Sequence, residues 1–233
     1  MIAGVDWRTT FRDARRWFEA NYETLPKDGV ATKVFLFGFS RGALIARHFA
    51  AWLDKLGVAI AYLGLWDTVD ATVGLDVAVD CPSNVRRARH AVSRDETRKF
   101  FEYVPLKGDN GQVIEMLFPG SHSDVGGLYD DNHLMADIAL SWIAAGAKRE
   151  GLRLKRGVRL AQKWMPPPSF SMTPTASPPI FGAHSTVSAA GCRKSVSTSP
   201  AGASKAFFGN AKFLLAFERR MWYLTRCSNQ KET

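Results

Sequence analysis

The sequence predicts an α/β fold, a parallel sheet flanked by helices, with a disordered tail after about residue 160. Three observations predict it. Apolar runs of strand length occur at 33–37, 58–66 and 113–118. Between and beside them lie stretches with apolar residues three and four apart, the spacing of one helix face. Near residue 160 the composition shifts to Pro, Ser, Thr and Ala without either period.

Taken in order, residues 7–22 read as a helix, with Phe11, Arg15, Phe18 and Tyr22 on one side. After the turn Pro26-Lys27-Asp28-Gly29 comes the strand 33–37, then Gly38-Phe39-Ser40-Arg41-Gly42, then a helix over 43–56 that Gly57 stops. The second strand is 58–66. Residues 86–101 are expected to be helical, which puts His90 on a solvated helix face. The third strand is 113–118, and 134–148 is a helix with Leu134, Ile138, Trp142 and Ala145 on one face. Alternation of this kind argues for a parallel sheet.

The residues 161–233 form a low-complexity basic tail, set apart from a domain over 1–160. Pro166-Pro167-Pro168, Pro174, Pro178 and Pro179 interrupt it, and it cannot bury enough apolar surface to offset its ordering entropy. Only 205–227 regains a pattern, with Phe213, Phe217, Met221 and Leu224 on one helical face and basic residues around it. Such a segment suits an anionic membrane surface, but its Pro/Ser-rich approach favours the alternative, a noncoding-like sequence with an accidental pattern. The tail also explains the net charge of +9. It carries 9 Lys+Arg against 2 Asp+Glu, leaving 22 against 20 for residues 1–160. A body so near neutral is no nucleic-acid binder. Cys81, Cys192 and Cys227 are few, odd in number and far apart, which fits a reducing compartment. The opening Met1-Ile2-Ala3-Gly4-Val5-Asp6 does not read as a secretory leader, so the expected location is the cytoplasm of the producing cell.

The chemistry is concentrated at the strand ends. Gly38-x-Ser40-x-Gly42 sits at a strand-to-helix turn, where small neighbours allow a strained backbone that lifts the serine Oγ clear of the sheet. The helix that follows brings free N–H groups and positive dipole to that atom, and the Arg41 N–H is the natural oxyanion donor. A serine needs a histidine to take its proton, and that imidazole needs a carboxylate. Asp67 follows the second strand and His122 follows the third, in the order Ser, acid, His found in α/β-hydrolases. Asp124, two residues from His122, is the rival acid, more suited to shaping the turn before Gly126-Gly127. His122, Asp124, Asp130, Asp131 and His133 also compose a mixed N/O donor set, but their spacing fits no metal motif. No cofactor and no metal are called for.

Gly38-Phe39-Ser40-Arg41-Gly42-Ala43, Gly64-Leu65-Trp66-Asp67-Thr68-Val69, Ala88-Arg89-His90-Ala91, Phe118 to Gly127 and Asp137 to Trp142 together resemble successive motifs of the type VI secretion phospholipase effector family. The resemblance covers about residues 10 to 155. It implies an α/β-hydrolase acting on phospholipid or other lipid esters, with Ser40 as nucleophile, Asp67 as triad acid and His122 as base. It further implies export by a type VI system, contact with a membrane surface, and an immunity or secretion-apparatus protein as partner. The family opens with a strand and an Asp-Gly-Thr-type turn upstream of the elbow. Here 39 residues precede Ser40 and lack that turn. The expectation is therefore an incomplete sheet, open beside the elbow strand and short of a second oxyanion donor, with a tail resembling the product of a changed reading frame. A competing reading is a catalytically silent remnant that binds a partner or a membrane.

Overall fold

Residues 33–39 form the strand around which the rest is arranged. In β1 (Lys33–Phe39) every position after Lys33 is buried, as the run Val-Phe-Leu-Phe-Gly-Phe requires of a strand covered on both faces. The computed structural model describes residues 7–22, 33–70, 80–129, 133–152, 205–208 and 213–218. Helix α1 (Trp7–Tyr22) precedes β1, and α2 (Arg41–Lys55) carries the chain to β2 (Ile60–Trp66), which runs parallel to β1. Two further parallel strands follow, β3 (Ala88–Ser93) and β4 (Val113–Phe118), with one 3-10 turn at Lys99–Phe101 between them. Then come α3 (His122–Gly126) and α4 (Leu134–Arg149). Strands β5 (Lys205–Phe208) and β6 (Phe213–Glu218) are antiparallel, and the order across the sheet is β4-β3-β2-β1-β6-β5.

Helices cover both faces. In α1, Phe11 and Phe18 meet Phe49 of α2 edge-on at 6.0 and 5.9 Å, and Phe18 also meets Trp52. Phe49 is fully buried at the centre of this cluster, so truncating it to alanine costs about 3–5 kcal/mol. On α4, Ile143 packs where Gly64 of β2 leaves room beside Phe37, and its carbonyl accepts the Tyr62 hydroxyl at 2.9 Å. Burial pushes that phenol well above its ordinary range, so it stays a donor. No described helix is long and apolar enough to cross a membrane.

Three expectations from the sequence are corrected. Residues 86–101 are not a helix: Ala88–Ser93 is a fully buried strand between β2 and β4. Its Arg and His residues imitate a solvated helix face, yet each has an internal partner. Arg89 donates to the Trp142 carbonyl and lies over that indole at 4.7 Å. His90 is fully buried, not on a solvated face.

The second correction concerns residues 213–218, which pair as a strand rather than forming a helical face. A short apolar run such as Phe-Leu-Leu-Ala-Phe satisfies either period, and sheet pairing decides. Of the tail, only 205–208 and 213–218 are described; Met221, Leu224 and the Pro-rich stretch lie outside the described residues. Third, the edge of β1 expected to be open is taken by β6, with Lys33 opposite Glu218 and Gly38 opposite Phe213.

Candidate active site

Ser40 lies between β1 and α2 with φ 58° and ψ −128°, a backbone conformation rare for a residue with a Cβ. Its N–H donates to the Trp66 carbonyl at 3.0 Å, which ties the turn to the end of β2. Its carbonyl accepts Ala43 N–H at 3.0 Å, so α2 begins at once. The turn is possible because Gly38 has no side chain: a Cβ there would strike the Gly42 carbonyl and the Ala43 Cα. The Arg41 N–H thus belongs to the first turn of a helix, where backbone donors have no intrahelical acceptor.

His122 opens α3, one loop after β4, and is buried between the rings of Phe39 (centroids 4.5 Å) and Phe101 (4.9 Å). Its Nε2 is 2.9 Å from Ser40 Oγ, and its Nδ1 is 2.8 Å from Asp67 Oδ2. A carboxylate only accepts, so Nδ1 carries the proton and Nε2 accepts the serine hydroxyl. Asp67 is fully buried at the end of β2 with φ 40°. The three residues singled out at three strand ends therefore meet in one hydrogen-bonded line.

Two groups that the sequence reading missed support that line. Ser93, the last residue of β3, donates its N–H to Asp67 Oδ1 at 2.9 Å and its hydroxyl to Oδ2 at 2.6 Å. The loop after β3 holds the histidine: Glu96 Oε2 accepts His122 N–H at 3.1 Å, and Asp95 Oδ2 accepts Gly120 N–H at 2.8 Å. Burial raises the Glu96 carboxyl, but hydrogen bonds from the Arg98 side chain, from the Arg98 and His122 N–H groups, and the Arg98 charge outweigh it and bring it down to about 2. Arg98 in turn lies over Phe101 at 3.8 Å. Only the acidic pair Asp95-Glu96 beside a strand end signals this brace in the sequence.

Asp124 does not reach the imidazole. Its Oδ2 accepts both the N–H and the hydroxyl of Ser121 at 2.8 Å, capping α3. It shapes the start of a helix rather than the turn before Gly126-Gly127. Gly126 is required for another reason, since a Cβ there would enter the Phe39 ring. Among the described residues no three His, Cys, Asp or Glu side chains gather as a metal-binding group; Asp130 and Asp131 lie outside those residues. Cys81 is a free thiol that burial pushes up to about 12, which makes it a poor nucleophile.

With this geometry in place, the likeness to known proteins becomes specific. Residues 57–146 match the family model of the T6SS phospholipase effector Tle1-like catalytic domain. The chain resembles a Tle1-like phospholipase effector. The Tle1-like match spans β2, β3, β4, α3 and most of α4, and so contains Asp67 and His122; it begins after Ser40. It is narrower than the 10–155 suggested by the motifs. Among solved structures, a protein described as uncharacterized, from Pseudomonas aeruginosa, is 29% identical, with a TM-score of 0.42. The alignment covers 58% of this chain and 26% of that one, so this chain spans about a quarter of that structure's length. No curated protein matches.

Proposed function

We propose that this chain carries the catalytic centre of a serine hydrolase that cleaves carboxylic esters of phospholipids. The observation that carries the reading is the contact of Ser40 Oγ with His122 Nε2 at 2.9 Å, continued from Nδ1 to Asp67 at 2.8 Å. In this reading Ser40 attacks the ester carbonyl while His122 takes its proton. Asp67 holds the imidazole in the required tautomer and stabilises the imidazolium that forms. The carbonyl oxygen becomes an oxyanion facing the Arg41 N–H. Collapse expels the alcohol, protonated by His122, and leaves an acyl group on Ser40. Water, deprotonated by the same imidazole, then releases the acid. No cofactor takes part.

The Tle1-like match over residues 57–146 supports a reading in which phospholipid is the substrate class, type VI secretion the route of export, and an immunity or secretion-apparatus protein the partner. Covalent labelling of the full chain by a fluorophosphonate probe tests the centre. Labelling that disappears in Ser40→Ala is expected. Labelling that survives in that variant sinks the nucleophile assignment, and a folded full chain that never labels favours the silent, partner-binding reading.

A further inference from the structure

A second histidine–carboxylate pair meets the first at Thr68, the residue after Asp67. His90 stands opposite Glu115 in the parallel ladder of β3 and β4, so their side chains share a face of the sheet. His90 Nδ1 is 2.7 Å from Glu115 Oε1, and Nε2 is 3.1 Å from both the N–H and the Oγ1 of Thr68. Glu115 Oε1 is itself held by the Leu106 N–H at 3.1 Å. A backbone N–H can only donate, so His90 Nε2 must be the acceptor and Nδ1 must carry the proton. Glu115 is what fixes that tautomer. His90 and Thr68 are fully buried, so no water can replace the acceptor if it is lost.

The peptide gripped by His90 is the one that follows Asp67. Asp67 has φ 40°, a left-handed conformation that costs about 1–3 kcal/mol for a residue with a side chain and persists only where its surroundings impose it. Here β3 grips it from both sides. The Asp67 N–H donates to the Ala91 carbonyl at 2.7 Å, and the Thr68 N–H donates to the neighbouring His90 imidazole. The Thr68 carbonyl is anchored by the Val104 N–H at 2.8 Å. With both flanking amides pinned, the carboxylate is turned toward His122.

We infer that His90 is a positioning residue: held by Glu115 as an acceptor, its Nε2 grips the Thr68 amide and keeps Asp67 in the conformation that aims its carboxylate at His122. The inference rests on the reading of Ser40, His122 and Asp67 as a catalytic line. A shift of about 1 Å at such a distance from the chemistry costs on the order of 10²-fold in rate.

The experiment uses the full chain and two readouts. One is the rate of fluorophosphonate labelling. The other is the far-downfield proton resonance of the His122–Asp67 hydrogen bond, identified by its loss in Asp67→Asn. It is recorded in a Ser40→Ala background where no reaction is needed. His90→Leu should slow labelling about 10²-fold and move or abolish the resonance in a protein that still melts cooperatively. His90→Gln, whose amide oxygen can stand where Nε2 stands, should restore most of both. Should His90→Leu fail to fold, Glu115→Ala decides, with the same direction expected in both readouts. An unmoved resonance in a folded His90→Leu or Glu115→Ala protein overturns the inference. A resonance that depends on His90 in a chain that never labels leaves the positioning intact and sinks only the enzymatic reading.

Discussion

Ser93 donates twice to Asp67, its N–H to Oδ1 and its hydroxyl to Oδ2, and so turns the last residue of β3 into a clamp on the carboxylate that follows the neighbouring strand β2. Ser93→Ala keeps the first bond and removes the second. A hydrogen bond to a charged group is worth about 1.5–3 kcal/mol. The expected result is a melting temperature lowered by that amount of stability, together with slower turnover at unchanged KM. Unchanged turnover and melting would show that the hydroxyl contributes nothing.

The two carboxylates near His122 should separate cleanly. Asp67→Asn replaces one accepting oxygen of the carboxylate by an NH2 donor and removes its charge, so the imidazole is no longer held in the required tautomer and turnover should fall by about 10⁴-fold. Asp124→Asn weakens the cap on α3 and should act through stability, by about 0.5–2 kcal/mol, with turnover largely kept. Near-zero turnover with normal melting in Asp124→Asn would reverse the two roles.

Glu96 makes the site acid-sensitive. Its folded carboxyl is depressed from 4.5 to about 2, so the native state holds its proton less tightly than the unfolded chain. The resulting stability is present above the unfolded value and is lost as pH falls from about 4.5 toward 2. Glu96→Gln should melt lower than the parent at pH 7, and the difference should shrink across that window. A gap that stays constant with pH would mean the brace is not electrostatic.

The pairing of β1 with β6 gives a test at the sheet edge. Ending the chain at residue 204 removes β5 and β6 and exposes the N–H and C=O groups of the elbow strand. Such an edge recruits other chains. The shortened protein is expected to aggregate, as read by light scattering, where the full chain does not. A monomeric shortened protein with the parent's melting point would show that β6 contributes little.

The candidate site was largely legible before the fold was. Ser40, Asp67 and His122 each follow an apolar run, and in a parallel sheet residues just past such strands fall on one edge. Strand β3 was not legible, because buried parallel strands are expected to be apolar. Residues 86–90 read Arg-Arg-Ala-Arg-His. Polar residues can occupy such a strand only when each has an internal partner, and the partners of Arg89 and His90, namely Trp142, Thr68 and Glu115, lie on other elements. Pattern reading cannot see a pairing between distant segments. Ser93 and Glu96 were hidden for the same reason, since their hydrogen bonds join separate loops. Residues 213–218 were ambiguous in a different way, a run too short for its period to separate strand from helix.

Among the described residues, three without the freedom of glycine have positive φ, and two of them are Ser40 and Asp67. Glycine would relieve the backbone at both, but at 67 it would remove the carboxylate that accepts from Ser93 and His122. The chain instead carries a hydroxyl and a carboxylate at these two turns, and on the proposed reading the strained backbone is part of what a hydrolytic centre requires there.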